Sequence, residues 1–293
     1  MSTLILRVSL ALLLVGAALV LLAQNGARYL PGEAQLVYSE TYTSTLVLLD
    51  VPRGWLSPLP AHGGMADWSP DGRFLALAGH RLHSAEIDIL DLASGAMQQL
   101  TDNDFHDGSP AWSPDGTHIA FVSASDGDYD IYLMHPDGSD LRNLTDNSDF
   151  DSDPTWSPDG AHIAFTSNRS GLGVIYIMDI TQPDAPPVAL TDGSVWAANP
   201  AWSPDGTRLA FEYYPNPYAE IYVINVDGTG LRNLTNYPAG NDLSPTWSPD
   251  GRYLAFISAR GFYRQVYMLD TSDDTLLMLT SSDSDKSDPA WMP

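Results

Sequence analysis

An all-β fold, a six-bladed β-propeller of four-stranded blades, is what this sequence predicts, and three observations carry the prediction. The pentapeptide Trp-Ser-Pro-Asp-Gly occurs five times, at residues 68–72, 112–116, 156–160, 202–206 and 247–251. Trp291 stands in the same frame, so successive tryptophans fall 44, 44, 46, 45 and 44 residues apart. A fixed period of roughly 40–50 residues is the spacing of a propeller blade. Second, four short apolar runs recur within each period. Third, the acid is almost all aspartate, 32 Asp against 5 Glu, and aspartate suits turns where glutamate suits helices.

Taken in order, the 293-residue chain divides into residues 1–30, an N-terminal segment with a short linker, and residues 31–293, the propeller. Residues 4–23 are apolar except for Arg7, Ser9 and Gly16. Twenty helical residues span about 30 Å, one hydrocarbon core. Arg7 ahead of the run provides the charged start of an export signal. Small residues at −3 and −1 of a cleavage site are hard to place, which favours an uncleaved signal anchor over a cleaved signal peptide. One hydrophobic helix is thus expected before the sheet region, with the remainder outside the cytoplasmic membrane, periplasmic or extracytoplasmic.

Three strand-like runs follow without a leading tryptophan, at 36–39, 45–49 and 55–59. The complete periods come next. In one of them a short strand ends at Trp112 and is followed by runs at 119–122, 131–134 and 141–145. The middle two are apolar on consecutive residues, as strands covered on both faces must be. In the shared pentapeptide proline presets φ, aspartate accepts the next turn position and glycine takes the left-handed one, so it closes the first hairpin. Its tryptophan is large enough to wedge adjacent blades apart. After the fifth period there is one leading strand, 288–291, without followers. Three strands from the N terminus and one from the C terminus complete a sixth blade and close the ring, which removes exposed edges.

The formal net charge is −24, Lys286 is the only lysine, and cysteine is absent. Nucleic acid and anionic membranes require basic patches, so neither is an expected partner. Disulfides, thiol catalysis and Cys-ligated zinc are excluded.

Candidate site residues lie ahead of each tryptophan. Five positions before it stand Gly63, Asp107, Asp151, Ala197, Asp242 and Lys286; three positions before stand Met65, Ser109, Asp153, Asn199, Ser244 and Asp288. These loops are expected on one face, so Asp107, Asp151, Asp153, Asp242 and Asp288 would converge on one mouth and hold a cation or a basic peptide. Tyr213, Tyr214 and Tyr218 crowd an atypical loop on the same face, suited to protein or sugar contact. His62 and His106, in neighbouring repeats, are candidate ligands for a divalent cation beside Asp107 and Asp151. His118 and His162 are equivalent to each other and read as repeat drift. Asp126, Asp128 and Asp130 alternate like half a calcium loop but lack its remaining ligands.

The string Pro-x-Trp-Ser-Pro-Asp-Gly, followed by Ile-Ala-Phe, Ser-Asn-Arg, Ile-Tyr and Leu-Thr, resembles the TolB-like propeller repeat, most clearly at 154–191. The resemblance runs from about residue 36 to the C terminus and implies six four-stranded blades in an envelope setting. The same repeat precedes the hydrolase domain of prolyl-oligopeptidase-type peptidases, but no Gly-x-Ser-x-Gly elbow is present. The expected function is therefore a non-enzymatic, monomeric scaffold that binds an envelope protein or peptide and needs no cofactor. The alternatives are a metal-assisted hydrolase or lyase acting on a glycan through His62 and His106, since some lyases on related propellers use His-ligated metal, and a glycan-binding module.

Overall fold

Strand formation follows the β-branched and aromatic residues that fill each apolar run. The computed structural model describes residues 34–80, 84–125 and 127–293, and every regular element among them is a strand. The expected N-terminal hydrophobic helix, the boundary at residue 30 and Asp126 lie outside the described residues.

The first strands are β1 (Gln35–Glu40), β2 (Thr45–Asp50), β3 (Trp55–Trp68), β4 (Phe74–His80), β5 (Ala85–Asp91) and β6 (Met97–Gln99). Next come β7 (Asp107–Trp112), β8 (Ile119–Ser123), β9 (Asp130–Met134) and β10 (Arg142–Asn143), then β11 (Asp151–Trp156), β12 (His162–Ser167), β13 (Val174–Asp179) and β14 (Val188–Ala189). The chain continues with β15 (Ala197–Trp202), β16 (Arg208–Tyr213), β17 (Glu220–Asn225) and β18 (Arg232–Asn233). It finishes with β19 (Asp242–Trp247), β20 (Tyr253–Ser258), β21 (Gln265–Asp270), β22 (Thr275–Met278) and β23 (Lys286–Trp291).

The runs β7–β10, β11–β14, β15–β18 and β19–β22 each form a four-stranded antiparallel sheet. The remaining strands form a seven-stranded sheet in the order β23-β1-β2-β3-β4-β5-β6. Within it β3 serves two partners in succession. Its first part pairs with β2, from Asp50↔Trp55 to Thr45↔His62, and its second part with β4, from Gly63↔Gly79 to Trp68↔Leu75. The last strand pairs with the first, Leu36↔Trp291 and Glu40↔Lys286.

The core lies between sheets. Each apolar cluster joins two successive repeats: Ala120, Ile131 and Leu133 of one pack with Trp156, Phe165 and Tyr176 of the next. Leu36, Tyr38 and Leu49 pack with Tyr253, Ile257 and Met268, so the last repeat also meets the first sheet. Runs that are apolar on consecutive residues are thereby covered on both faces.

The pentapeptide is a closed hydrogen-bond unit. Ser113 Oγ donates to Asp115 Oδ1 at 2.7 Å and accepts from the His118 amide, while Asp115 Oδ1 also accepts from the Thr117 amide. The same pattern recurs at Ser69, Ser157, Ser203 and Ser248. The motif glycines have φ between 67° and 71°, which only glycine adopts without strain. Trp156 and Trp247 donate their indole N–H to the carbonyls of Ala111 and Ala201 in the preceding repeat, and Trp68 to Ala290. The motif is scaffold.

Candidate binding site at the channel mouth

A proline or alanine stands two residues before each motif tryptophan, and the ladder breaks there. Proline lacks an N–H to donate, and register shifts appear between Gly64/Asp67, Gly108/Ala111, Ser152/Thr155, Ala198/Ala201 and Leu243/Thr246. The residue just ahead, three before the tryptophan, is left-handed in every repeat: φ is 52° at Met65, 46° at Ser109, 54° at Asp153, 54° at Asn199, 51° at Ser244 and 49° at Asp288. None is glycine, so each stores on the order of 1–2 kcal/mol of strain. Strain of this kind persists where surrounding structure enforces it, and it concentrates at functional sites. All of these residues line one cavity of about 580 Å³, walled also by Trp68, Trp112, Trp156, Trp247 and Trp291 and by the motif prolines. The first strands thus surround a channel with an apolar wall and a ring of strained residues at one end.

That ring carries a polar network. Asp153 accepts from Ser152 Oγ and Thr166 Oγ1, and Thr166 Oγ1 accepts from the Asn199 amide. Glu212 accepts from Asn199 Nδ2 (2.8 Å), Tyr214 OH (2.7 Å) and the Ser244 amide (2.8 Å). Asp288 accepts from the Met65 amide. Burial pushes the carboxyls of Asp153, Glu212 and Asp288 up, and the charges of Asp288 on Asp153 and of Asp153 on Glu212 push in the same direction. Burial and Glu212 raise the Tyr214 phenol. Deeper in the wall, Asp67 accepts from the Trp112 amide at 2.7 Å, and burial lifts its carboxyl to about 6.

The expected carboxylate set divides. Asp153 and Asp288 line the channel. Asp107, Asp151 and Asp242 do not; each is fully buried within its own repeat. Asp151 holds Arg169 at 2.9 Å and Asn147 at 2.8 Å, Asp242 holds Arg260 at 2.8 Å, and Asp107 holds Asn103 at 2.8 Å. The same position in the last strand is Lys286, buried against Glu40 at 2.9 Å. The expectation that all five aspartates face one opening is corrected by the bulge: it interrupts strand alternation, so positions five and three before the tryptophan no longer share a face.

The tyrosines divide as well. Tyr214 reaches the network through Glu212, Tyr218 is exposed, and Tyr213 is buried against Phe211 and Tyr222. Tyr213 and Ala197 occupy the places that serine and aspartate hold in other repeats, as in Ser167 opposite Asp151. The small alanine leaves room for the ring. His62 and His106 are exposed; His62 Nδ1 lies 3.4 Å from the Thr43 carbonyl and His106 packs edge-on to Tyr129. Among the described residues no group of three or more His, Asp or Glu side chains is placed to hold a metal ion. Glu212 and Asp67 were not expected. Glu212 was legible as a charge inside an otherwise apolar run, where other repeats carry Val122, Thr166 and Ile257.

The raised acids give the protein a pH signature. Asp67 binds its proton more tightly folded than unfolded, so its contribution is fully present below pH 3.8 and is lost as pH rises through about 6. The gap corresponds to about 3 kcal/mol. Asp115 and Asp205, held down to about 2 by hydrogen bonds from Ser113 and Ser203, act oppositely and lose their contribution below pH 4. Thermal melts should therefore show a maximum between pH 4 and 6. Asp67→Asn, which keeps an acceptor for Trp112, should be more stable than the parent at pH 7.5, by a margin that shrinks as pH falls to 4.5 and closes below pH 3.8. A constant difference across that range would refute the assignment.

An antiparallel sheet repeated around a channel, bonded between its first and last strands, defines a β-propeller with its candidate site on the channel axis. A model of the TolB beta propeller domain matches residues 65–197 and 188–293. The chain belongs to the TolB β-propeller family. Solved structures with the same fold include TolB from Acinetobacter baumannii (22% identity, TM-score 0.79, covering 94% of this chain and 70% of that one). A putative TolB from Agrobacterium tumefaciens matches at 24% identity and TM-score 0.67, over 89% of this chain and 99% of that one. A hydrazine synthase from Kuenenia stuttgartiensis matches at 16% identity and TM-score 0.73, over 89% of this chain and 47% of that one. No curated protein matches the sequence.

Proposed function

We propose that this protein is an exported, non-enzymatic scaffold whose six-bladed ring presents the channel mouth to a cationic segment of an envelope protein or peptide. Six blades follow from reading the two halves of β3 as members of separate blades, one completed by β23. The carrying observation is the ring of left-handed residues that aims Asp153 and Asp288 into the channel, with Glu212 and Tyr214 behind them. Acids lining a channel with low-dielectric walls concentrate positive ligands. Kinship with TolB supports a periplasmic setting. Ala34 joins the ring at the end where the pentapeptide turns lie, since Leu36 pairs with Trp291 and Glu40 with Lys286. A membrane tether at the N terminus would therefore leave the acidic mouth facing away from the bilayer.

Titration calorimetry with the peptide acetyl-Lys-Ala-Lys-Ala-Lys-amide tests this reading. Affinity should fall at least tenfold in Asp153→Asn/Asp288→Asn and should fall with added salt. Binding that ignores both changes would place the ligand elsewhere.

A further inference from the structure

The residue six positions after the motif tryptophan opens the second strand and points toward the next repeat's tryptophan. In one repeat it is Arg208, whose guanidinium stacks on the ring of Trp247 at 4.9 Å while lying 4.0 Å from Asp205. Trp247 is buried. In the two preceding repeats the equivalent residue is histidine, and a crevice lies beside each. The one between His162 and Trp202 has a volume of about 540 Å³ and is flanked by Asp159 and Asp205. Trp202 is the one motif tryptophan that is only partly buried. The other, about 390 Å³, lies between His118 and Trp156 and is flanked by Asp115 and Asp159. It is smaller, and His118 stacks at 4.8 Å on His135. Both crevices have Pro158 and Asp159 in their walls, so they are adjacent.

We propose that these adjacent crevices are subsites for arginine side chains of a partner peptide, one guanidinium taking on Trp202 the place that Arg208 takes on Trp247 and a second entering the smaller crevice between Asp115 and Asp159. The molecule already contains the complex in intramolecular form. A planar guanidinium satisfies an indole face and a carboxylate together, which a compact ammonium does less well. Hydrogen bonds within each pentapeptide hold Asp115, Asp159 and Asp205 below the ordinary carboxylate range, so the anionic partners are present at neutral pH. The adjacency of the crevices suits two arginines close together in sequence, the second binding at high effective concentration. This site lies at the pentapeptide turns and is independent of the strained ring at the other end of the channel.

The test is an NMR titration of the full chain with acetyl-Arg-Ala-Arg-amide and its lysine counterpart, read at the imidazole Cε1–H resonances of His118 and His162. The arginine peptide should shift both resonances, and the lysine peptide should bind at least fivefold more weakly. His162→Arg should fill the larger crevice from within, as Arg208 does next door, and should lower affinity at least tenfold with an unchanged melting profile. Asp205→Asn should weaken binding severalfold, while Asp153→Asn/Asp288→Asn should leave these shifts unchanged. Absence of shifts, equal binding of the lysine peptide, or indifference to His162→Arg would each overturn the proposal.

Discussion

Deleting residues 286–293 should abolish cooperative folding. The deletion removes β23, and with it the partner of β1, whose Leu36, Val37 and Tyr38 are buried. Three further losses follow. Trp291 leaves the cluster that joins the last repeat to the first sheet. Trp68 loses the Ala290 carbonyl as its indole acceptor. Glu40 loses the ammonium of Lys286. Truncating a core tryptophan alone costs about 3–5 kcal/mol, against a typical total stability of about 5–15 kcal/mol. Still paired with β2 on one side, β1 becomes an open edge to other chains on the other. Circular dichroism should show no sharp transition, and the truncated chain should bind a hydrophobic dye and associate. A melt within a few degrees of the full chain would show that the strand pairing is dispensable.

Arg260→Met should cost about 3–5 kcal/mol at pH 7.5, the typical consequence of stranding a buried charge. Arg260 Nη2 bonds Asp242 Oδ2 at 2.8 Å and the Thr235 carbonyl at 3.1 Å, and the guanidinium lies 4.3 Å from the centre of the Tyr237 ring. Asp242 has no exposure and burial already raises its carboxyl. Without arginine its folded value rises further, so the penalty is full above that value and shrinks as pH falls and the acid takes up a proton. Denaturant titrations at pH 7.5 and pH 4.5 should show the deficit narrowing. Pairing the change with Asp242→Asn should restore most of the loss. A cost below about 1 kcal/mol at pH 7.5 would mean that the ion pair behaves like an exposed one.

The relation between Asp242 and Asp153 shows how far residue patterns reach. Asp242 stands five and Asp153 three positions before a repeat tryptophan, an even spacing that puts both on one face of a regular strand. One is buried in its own repeat against arginine; the other lines the channel. The distinction comes from the bulge at the left-handed position three before each tryptophan, which depends on packing around the ring. His162 and Arg208 make the same point from the other side. As sequence, their difference reads as drift in a repeat. In three dimensions it decides whether the next tryptophan is covered or looks into a crevice.

By itself, the sequence determined the repeat, the strands and the turns, because these rest on local chemistry: apolar runs that need two covered faces, and a Ser-Pro-Asp-Gly turn that satisfies its own hydrogen bonds within a few residues. It also determined that the last strand would need the first, since the strand ending at Trp291 has no followers of its own. Only the tertiary structure decided which acids meet the channel, how Glu212 links Tyr214 to the ring, and that Trp202 alone of the motif tryptophans is partly open. Those properties depend on how successive repeats are rotated and packed against one another, and a linear pattern carries no record of that geometry.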